Sequence, residues 1–287
     1  MNDYFIADDI AIITELLDIS LAEVAKQTGV SPVTVSRWMQ DDRNISAESL
    51  RNFYEYAFKK GIRLNRIKEQ LYKEDYSKED YAVLFHGAKT DIRGELSLDK
   101  SKPNHDFGRG FYCGESLEQS AMFVSGFPDS SLYIVGFNRK GLRSAQYKVD
   151  RDWMLTVAYF RGELNEYKDH PLIREKLSLL EGVDYIVAPI ADNRMFEIID
   201  SFINGEITDL QCQHCLSATN PGMQYVFITE YALNNVRLLR HCYLTPAEKQ
   251  YYIRTKQEET KIGNDKVKVA RIQYRNQGQY IEEVLKQ

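Results

Sequence analysis

Residues 105–121 read HDFGRGFYCGESLEQSA and carry three local signals in turn. Gly108 and Gly110 mark a loop, the aromatic run after them is typical of a strand, and the end of the stretch has helical character. Similar strand-like runs are YAVLFHG at 81–87, SLYIVGF at 131–137, DYIVAPI at 184–190 and MQYVFIT at 223–229. The helical stretches between the runs are residues 117–124, 170–180 and 195–204. This mixture predicts one α+β domain over residues 81–244.

The N-terminal residues 1–62 read as a domain of short helices. One helix over 21–27 stops at Gly29, a residue typical of helix C-caps. Ser31 is a suitable N-cap for the next helix, and Pro32 suits its first position. A further helix is predicted over 46–60. The side chains expected to face the core are Val33, Val35 and Trp38 on the third helix, and Leu50, Phe53, Tyr54 and Ala57 on the fourth.

The segment LAEVAKQTGVSPVTVSRW at 21–38 resembles the helix-turn-helix of phage-repressor-like DNA-binding domains. The residues that carry the resemblance are Ala22, Ala25, Gly29, Val30, Val35 and Trp38. In that family the second helix enters the major groove of DNA. The resemblance therefore implies DNA contacts from the outward residues of that helix, which are Pro32, Thr34, Arg37 and Gln40.

The charge balance weakens the expectation of DNA binding. The whole chain has 37 basic and 42 acidic residues, a net charge of −5. Residues 1–76 hold ten Lys and Arg against thirteen Asp and Glu, a net charge of −3, and Asp41 and Asp42 follow the candidate recognition helix. Because phosphate contacts supply most non-specific affinity for DNA, a helical adaptor that binds protein or dimerises remains an alternative.

Two charged segments flank the α+β domain. Residues 63–80 (RLNRIKEQLYKEDYSKED) have few apolar side chains and read as a solvated linker helix. Residues 245–287 begin with Thr-Pro-Ala-Glu, a pattern that opens helices, and are predicted to form a helical extension packed only in part.

Composition excludes several classes of protein. With 43% hydrophobic and 28% charged residues the chain has the balance of a globular protein. No apolar run approaches the roughly 20 residues that span a bilayer, and the N-terminus lacks signal-peptide features, so we expect no membrane association and a cytoplasmic location. Four cysteines are too few for a disulfide framework. Cys212, His214 and Cys215 lie close together, but their spacing is not that of a structural zinc site, and no metal is predicted.

Four short motifs in the α+β domain resemble the His-Tyr-Glu branch of the ADP-ribosyltransferases, which includes diphtheria toxin and the poly(ADP-ribose) polymerases. The motifs are His86-Gly87, Gly110-Phe111-Tyr112, Ser120-Ala121-Met122-Phe123 and Gln224-Tyr225-Val226. Their order and spacing match the branch, which implies a split-sheet α+β fold and NAD as substrate. The fuller pattern over residues 82–240 is similar to a bacterial family of unknown function, domain of unknown function 3990, which has been placed in the same fold.

The resemblance assigns most of the NAD contacts. His86 would bind the adenosine ribose, while the Gly87 backbone and the Ser120 hydroxyl would bind the nicotinamide carboxamide. Tyr112 and Phe123 would stack on the nicotinamide ring, although Phe123 replaces a tyrosine of the family.

In the glycine-bearing loop, Gly110 belongs to the matching motif, and Arg109 could meet the pyrophosphate. Each of the matched residues also has an ordinary structural interpretation as core, packing or surface, so the assignment depends on the ordered set.

Gln224 is the main departure, since it replaces the glutamate that stabilises positive charge on the ribose. An amide can accept a hydrogen bond from a hydroxyl but supplies no negative charge and is no base. Asp106, Asp192 and Glu197 are candidates for the missing carboxylate. Asp192 ranks first because it follows a strand directly, although it is equally suited to cap the next helix.

These observations favour an NAD-dependent mono-ADP-ribosyltransferase that modifies a protein or nucleic-acid acceptor. The fused helix-turn-helix suggests a bacterial toxin or defence effector that the helical domain, an antitoxin or another regulator locates or restrains. The alternative is a transcription regulator whose second domain senses NAD or ADP-ribose without turnover. An RNA 2′-phosphotransferase on the same fold is a third hypothesis, but only Arg109 supplies positive charge near the motifs.

Overall fold

The computed structural model describes residues 4–41, 45–76 and 78–286. Two compact units are formed, each from segments distant in sequence. The first unit comprises Met1–Ile92, Leu117–Phe137 and Arg237–Thr255. The second unit comprises Arg93–Ser116, Asn138–Val236 and Lys256–Gln287. The four segments predicted from composition differ from these units, and their role as domains stays a prediction.

Five helices at the start of the described part of the chain are followed by a mixture of strands and helices. The helices are α1 (Ile6–Leu17), α2 (Leu21–Thr28), α3 (Pro32–Trp38), α4 (Ala47–Lys59), α5 (Leu64–Asp75), α6 (Leu117–Val124), α7 (Arg151–Arg161), α8 (Pro171–Ser178), α9 (Asn193–Ile203), α10 (Asp209–Ala218), α11 (Glu230–Leu233), α12 (Pro246–Gln273) and α13 (Ile281–Val284). The strands are β1 (Tyr81–Ala88), β2 (Phe111–Gly114), β3 (Ser131–Asn138), β4 (Ser144–Gln146), β5 (Tyr185–Pro189), β6 (Met223–Phe227) and β7 (Val236–Cys242). This architecture confirms the α+β class.

Local capping chemistry fixes the N-terminal helices where the sequence predicts them. Ser20, Ser31 and Ser46 each accept a hydrogen bond from the backbone N–H three residues later, at the starts of α2, α3 and α4. Gly29 ends α2 with a φ of 74°, a left-handed conformation that glycine adopts without steric cost.

The N-terminal helices enclose one apolar core. Its buried members include Ile10, Ile13, Val24, Val35, Trp38, Leu50 and Phe53. The prediction that Val33 belongs to this core is wrong, because its side chain is 61% exposed. Val35 and Trp38 are three residues apart and share one face of α3, whereas Val33 lies on another face of the same short helix.

The prediction of a solvated linker at 63–80 is also wrong in part. Residues 64–75 form α5, and Lys68 on this helix is only 2% exposed. Its ammonium lies 3.0 Å from the carboxylate of Asp9, which also accepts hydrogen bonds from Tyr54 and Arg240. This buried ionic cluster connects α1 with α4, α5 and β7 in the first unit.

The remainder of the first unit contains strands in the order β1-β3-β7, with α6 packed against β1. Apolar side chains from these elements form a second core cluster. It includes Phe85, Leu117, Ala121, Val124, Leu132 and Ile134.

Four strands of the second unit lie in the order β4-β5-β6-β2. β4 and β5 are parallel, whereas β5 with β6 and β6 with β2 are antiparallel. The register places Gln224 of β6 opposite Ala188 on one side and Gly114 on the other. Apolar residues of α7, α9 and α10 form the core of this unit, and none of α7, α10 or β4 is predicted from the sequence.

The C-terminal extension contains the 28-residue helix α12, as the capping pattern predicts. It is packed in part: Tyr252 and Ala270 are buried, while Ile262, Val269 and Ile272 are exposed. Among the described residues, no helix combines the length and apolar composition that crossing a lipid bilayer requires.

Candidate functional site

The first unit brings Gly87 and Ser120 together where β1 packs on α6. Ser120 is buried, and its hydroxyl donates to the Phe85 carbonyl oxygen at 3.2 Å. A Cβ added at Gly87 would lie 2.6 Å from Val124 Cγ1 and 2.8 Å from the Ser120 carbonyl oxygen. The glycine therefore permits the close approach of the strand and the helix. Packing alone gives a reason for glycine here, and the predicted carboxamide contact stays a prediction.

His86 and Phe123 differ in their surroundings. His86 is half-buried near the end of β1, whereas the Phe123 ring on α6 is 57% exposed. The neighbours Met122 and Val124 are buried, which leaves Phe123 on the outward face of the helix. The aromatic ring at this position makes little contribution to the core, and its stacking on the nicotinamide ring stays a prediction.

Tyr112 holds the glycine-bearing loop of the second unit in place. Its hydroxyl donates to the Gly108 carbonyl oxygen at 2.7 Å and accepts from the Phe107 N–H at 3.2 Å. Gly108 has a φ of 72°, in the region that favours glycine. Burial raises the pKa of the Tyr112 phenol further above neutral pH, which keeps the hydroxyl in the protonated form that donates. Tyr112 packs against the core of the unit and holds the loop through its hydroxyl, and its stacking on the nicotinamide ring stays a prediction.

Arg109 and Gly110 continue the same loop. One guanidinium nitrogen of Arg109, Nη1, donates to the backbone carbonyls of Asp99 at 3.1 Å and Ser101 at 2.8 Å. Arg109 is exposed, and the Gly110 N–H donates to the Ser101 hydroxyl at 3.3 Å. A Cβ at Gly110 would lie 2.9 Å from the carbonyl oxygen of Phe227 on β6. These hydrogen bonds hold the loop against neighbouring residues, and one nitrogen of the Arg109 guanidinium takes part in them.

Asp106 is the centre of a buried polar network in the second unit. It is 5% exposed, and both of its carboxylate oxygens are fully used. Oδ1 accepts from Nε of Arg161 at 3.0 Å and from Nη2 at 2.6 Å. Oδ2 accepts from the Ala191 N–H at 3.0 Å and from the Gln224 side-chain amide at 2.8 Å. Four converging donors suit the carboxylate, which only accepts hydrogen bonds.

Gln224 is 6% exposed and is oriented by this network. Its Nε2 donates to Asp106 Oδ2 at 2.8 Å and to the Pro189 carbonyl oxygen at 3.1 Å. Both partners are acceptors, so the nitrogen end of the amide must face them. The carbonyl oxygen Oε1 is left on the other side, and no residue in the described part of the chain donates to it. The site therefore presents a hydrogen-bond acceptor held in a fixed orientation.

The role of Asp192, which ranks first among the candidates for the missing carboxylate, stays a prediction. Asp192 is exposed and accepts from the Met195 N–H at 2.8 Å, which makes it the N-cap of α9. Glu197 is exposed on the same helix. Asp106 is the carboxylate that contacts Gln224, and its position in the motif-bearing loop was a usable sequence signal. Arg161 gave no such signal because its helix, α7, was not predicted.

The Cys-His-Cys cluster lies on α10 without the features of a metal site. Cys212 and Cys215 are buried with their sulfur atoms 3.5 and 3.8 Å from the carbonyl oxygens of Ile198 and Val267. The His214 ring stacks on Tyr274, with ring centroids 3.5 Å apart. Within residues 4–41, 45–76 and 78–286, no group of three or more His, Cys, Asp or Glu side chains could hold a metal ion.

Arg37 on α3 and Gln40, which lies just beyond the end of this helix, are exposed, and their contact with DNA stays a prediction. Thr34 is half-buried, and its hydroxyl lies 2.9 Å from that of the N-cap Ser31, so it shares in capping the helix. Two further residues of this helix are exposed, namely Val33, which was expected to face the core, and Ser36.

Comparisons with known proteins agree with two of the resemblances drawn from the sequence, those to DUF3990 and to the helix-turn-helix, while the ADP-ribosyltransferase resemblance stays a prediction. A family model described as a protein of unknown function, DUF3990, matches residues 82–238, more than half of the chain. A helix-turn-helix family model matches residues 11–53. No curated protein and no solved structure matches the chain. The chain belongs to the DUF3990 family of proteins of unknown function, and a helix-turn-helix sequence precedes its DUF3990 region.

Proposed function

We propose that the DUF3990 region binds NAD and transfers a single ADP-ribose to a macromolecular acceptor. The helix-turn-helix would locate or restrain this activity, either by binding DNA or by binding a regulator such as an antitoxin. The proposal is supported by the ordered motifs of the ADP-ribosyltransferase resemblance and by the buried network around Gln224.

The oriented amide of Gln224 is the observation that carries the proposal. Its Oε1 is an acceptor with no donor among the described residues, at the sequence position where the resemblance expects an acceptor for a ribose hydroxyl. When the bond from ribose to nicotinamide breaks, positive charge develops on the sugar. The negative end of a fixed amide dipole stabilises that charge, though less than a carboxylate would.

The missing carboxylate limits the reaction that this site supports. Gln224 cannot remove a proton from the acceptor, and Asp106 already accepts four hydrogen bonds. An acceptor that is a good nucleophile in its own right is therefore required. This argues for one transfer to such a group and against repeated elongation of a polymer.

The test is incubation of the full chain with NAD carrying a labelled adenylate, with cell lysate as the source of acceptors. Released nicotinamide and label on macromolecules are measured together. We expect transfer that Gln224→Ala reduces at least tenfold, since the amide's hydrogen bond to the sugar is lost. Gln146→Ala is the matched control, because Gln146 is an exposed glutamine on β4 of the same unit. If the wild-type chain neither releases nicotinamide nor transfers label, the enzymatic proposal is refuted.

A regulator that binds NAD or ADP-ribose without turnover is the second candidate. The observation in its favour is that Asp106 and Asp192 are both occupied by hydrogen bonds to the protein itself. It predicts saturable binding of NAD in calorimetry without nicotinamide release, and binding of a DNA site that NAD strengthens or weakens.

A further inference from the structure

Asp106 is a buried acidic residue to which the resemblance assigns no binding role. Removing a carboxylate from water is costly unless its oxygens are paired and hydrogen-bonded. Arg161 and the Ala191 N–H meet that requirement on one side of the network. Gln224 is the remaining partner: its Nε2 donates to Asp106, whereas its Oε1 has no donor among the residues that the structure describes.

We propose that Asp106 is the positioning residue that determines which end of the Gln224 amide faces the ligand. It makes this position accept hydrogen bonds only, so that the ligand must present a donor there. The inference rests on the proposed function in one respect, namely that Gln224 lines the NAD site. It requires the ligand to present a hydrogen-bond donor opposite Gln224, a role that a ribose hydroxyl of NAD would fill.

The physical basis is the near-identical shape of the two ends of an amide. A side-chain amide without fixed partners can present either its oxygen or its nitrogen. Here a flip would lose the bonds to Asp106 and Pro189, one of which is charge-assisted, and would set Oε1 against two other oxygens. The flipped state is therefore strongly disfavoured, and a phosphate or carboxylate facing Oε1 would find no donor in Gln224.

Arg161 stabilises Asp106 in this role. Its guanidinium pairs with Oδ1, donates also to the Ala191 carbonyl oxygen and lies 4.4 Å above the Phe196 ring. The negative charge of Asp106 is thus compensated within the protein. Compensation matters because an unpaired carboxylate beside the sugar would repel the diphosphate of NAD.

The key variant is Asp106→Asn in the full chain. If the side-chain carbonyl of the introduced asparagine accepts from Arg161, the NH2 group of that asparagine faces two other donors, the Ala191 N–H and Gln224 Nε2. This placement of donor against donor removes the preference for the native orientation of the Gln224 amide. Arg161→Lys is the second variant, since it retains the charge while giving up the two-nitrogen contact to Oδ1. Asp169→Asn is the matched control, because Asp169 pairs with Arg174 on the surface of the same unit.

The first readout is hydrogen exchange of the Gln224 side-chain amide by NMR, assigned from the spectrum of Gln224→Ala. The positioning role predicts slow exchange in the wild-type protein and in Asp169→Asn, and faster exchange in Asp106→Asn or, should that variant not fold, in Arg161→Lys. Fast exchange in the folded wild-type protein would overturn the inference whether or not NAD binds.

The second readout is the affinity for NAD compared with NAD lacking the 2′-hydroxyl of the nicotinamide ribose. We expect the wild-type chain to prefer NAD about tenfold, the effect of one hydrogen bond at a buried acceptor, and Asp106→Asn to lose most of that preference. Equal discrimination in the two proteins would overturn the specificity role. A protected amide in a protein that binds neither nucleotide would support the positioning role and refute the proposed function.

Discussion

Replacing Gln224 by glutamate restores the residue type that the ADP-ribosyltransferase resemblance expects, yet the structure predicts that it creates a conflict. Gln224 Nε2 is 2.8 Å from the Asp106 carboxylate. The substitution places a second carboxylate oxygen at that distance. Two like charges so close repel by about 6 kcal/mol at an effective dielectric constant of about 20. Because Arg161 compensates part of the Asp106 charge, we expect about half of this, or about 3 kcal/mol, to appear as lost stability.

The conflict depends on pH in a definite direction. Repulsion raises the pKa of the introduced carboxyl above its value in the unfolded chain. The protonated form donates to Asp106 as the native amide does, so at about pH 4, below the ordinary glutamate pKa of about 4.3, the variant should be nearly as stable as the wild-type protein. That stability is lost as pH rises through the raised pKa, and the difference should reach about 3 kcal/mol at about pH 8.

Urea unfolding of both proteins at these two pH values measures the difference directly. The double variant Gln224→Glu with Asp106→Asn has only one carboxylate, so the difference from wild type should lose its pH dependence. Gln146→Glu adds the same charge at an exposed position and controls for the change in net charge. A stability difference for Gln224→Glu that is the same at both pH values would refute the proposed carboxylate pair.

Three further predictions concern other parts of the chain. Burial raises the pKa of Glu248 to about 7. The free energy of unfolding of the wild-type protein relative to Glu248→Gln should therefore fall by about 3 kcal/mol as pH rises from about 4.5 to above 7. A difference between the two proteins that stays constant across this pH range would contradict the prediction. Gly87→Ala should lower stability by about 1–3 kcal/mol in thermal unfolding, because the added Cβ meets Val124 and Ser120. Gly126→Ala is the control and should be nearly neutral, since nothing lies within 4 Å of a Cβ there. Equal effects of the two substitutions would refute the packing role of Gly87. If the helix-turn-helix binds a specific DNA sequence, Arg37→Ala should weaken the affinity for duplexes selected from a randomised library about 5- to 150-fold, as measured by fluorescence anisotropy. Arg51→Ala on α4 is the control and should weaken the affinity less. Equal losses would argue against α3 as the recognition helix.

The sequence by itself determined those features that depend on neighbouring residues. The serines before α2, α3 and α4 cap helices through hydrogen bonds spanning three residues, and Gly29 ends α2 through its own backbone freedom. Apolar runs located β1, β3, β5 and β6, and the order of the motifs indicated the family. Such signals are legible in a sequence because the interacting groups lie within a few residues of one another.

Only the tertiary structure decided which distant groups meet. Asp106 and Gln224 are 118 positions apart, and the sequence offered three candidates for the missing carboxylate without showing which of them contacts Gln224. From the sequence Lys68 was expected to be a solvated charge, whereas in the fold it contacts Asp9, 59 positions away. Val33 has an apolar side chain typical of a core residue, yet it faces solvent because a different face of α3 packs against the core. Burial and charge pairing are set by the path of the whole chain, whereas composition and spacing report only what each segment can form locally.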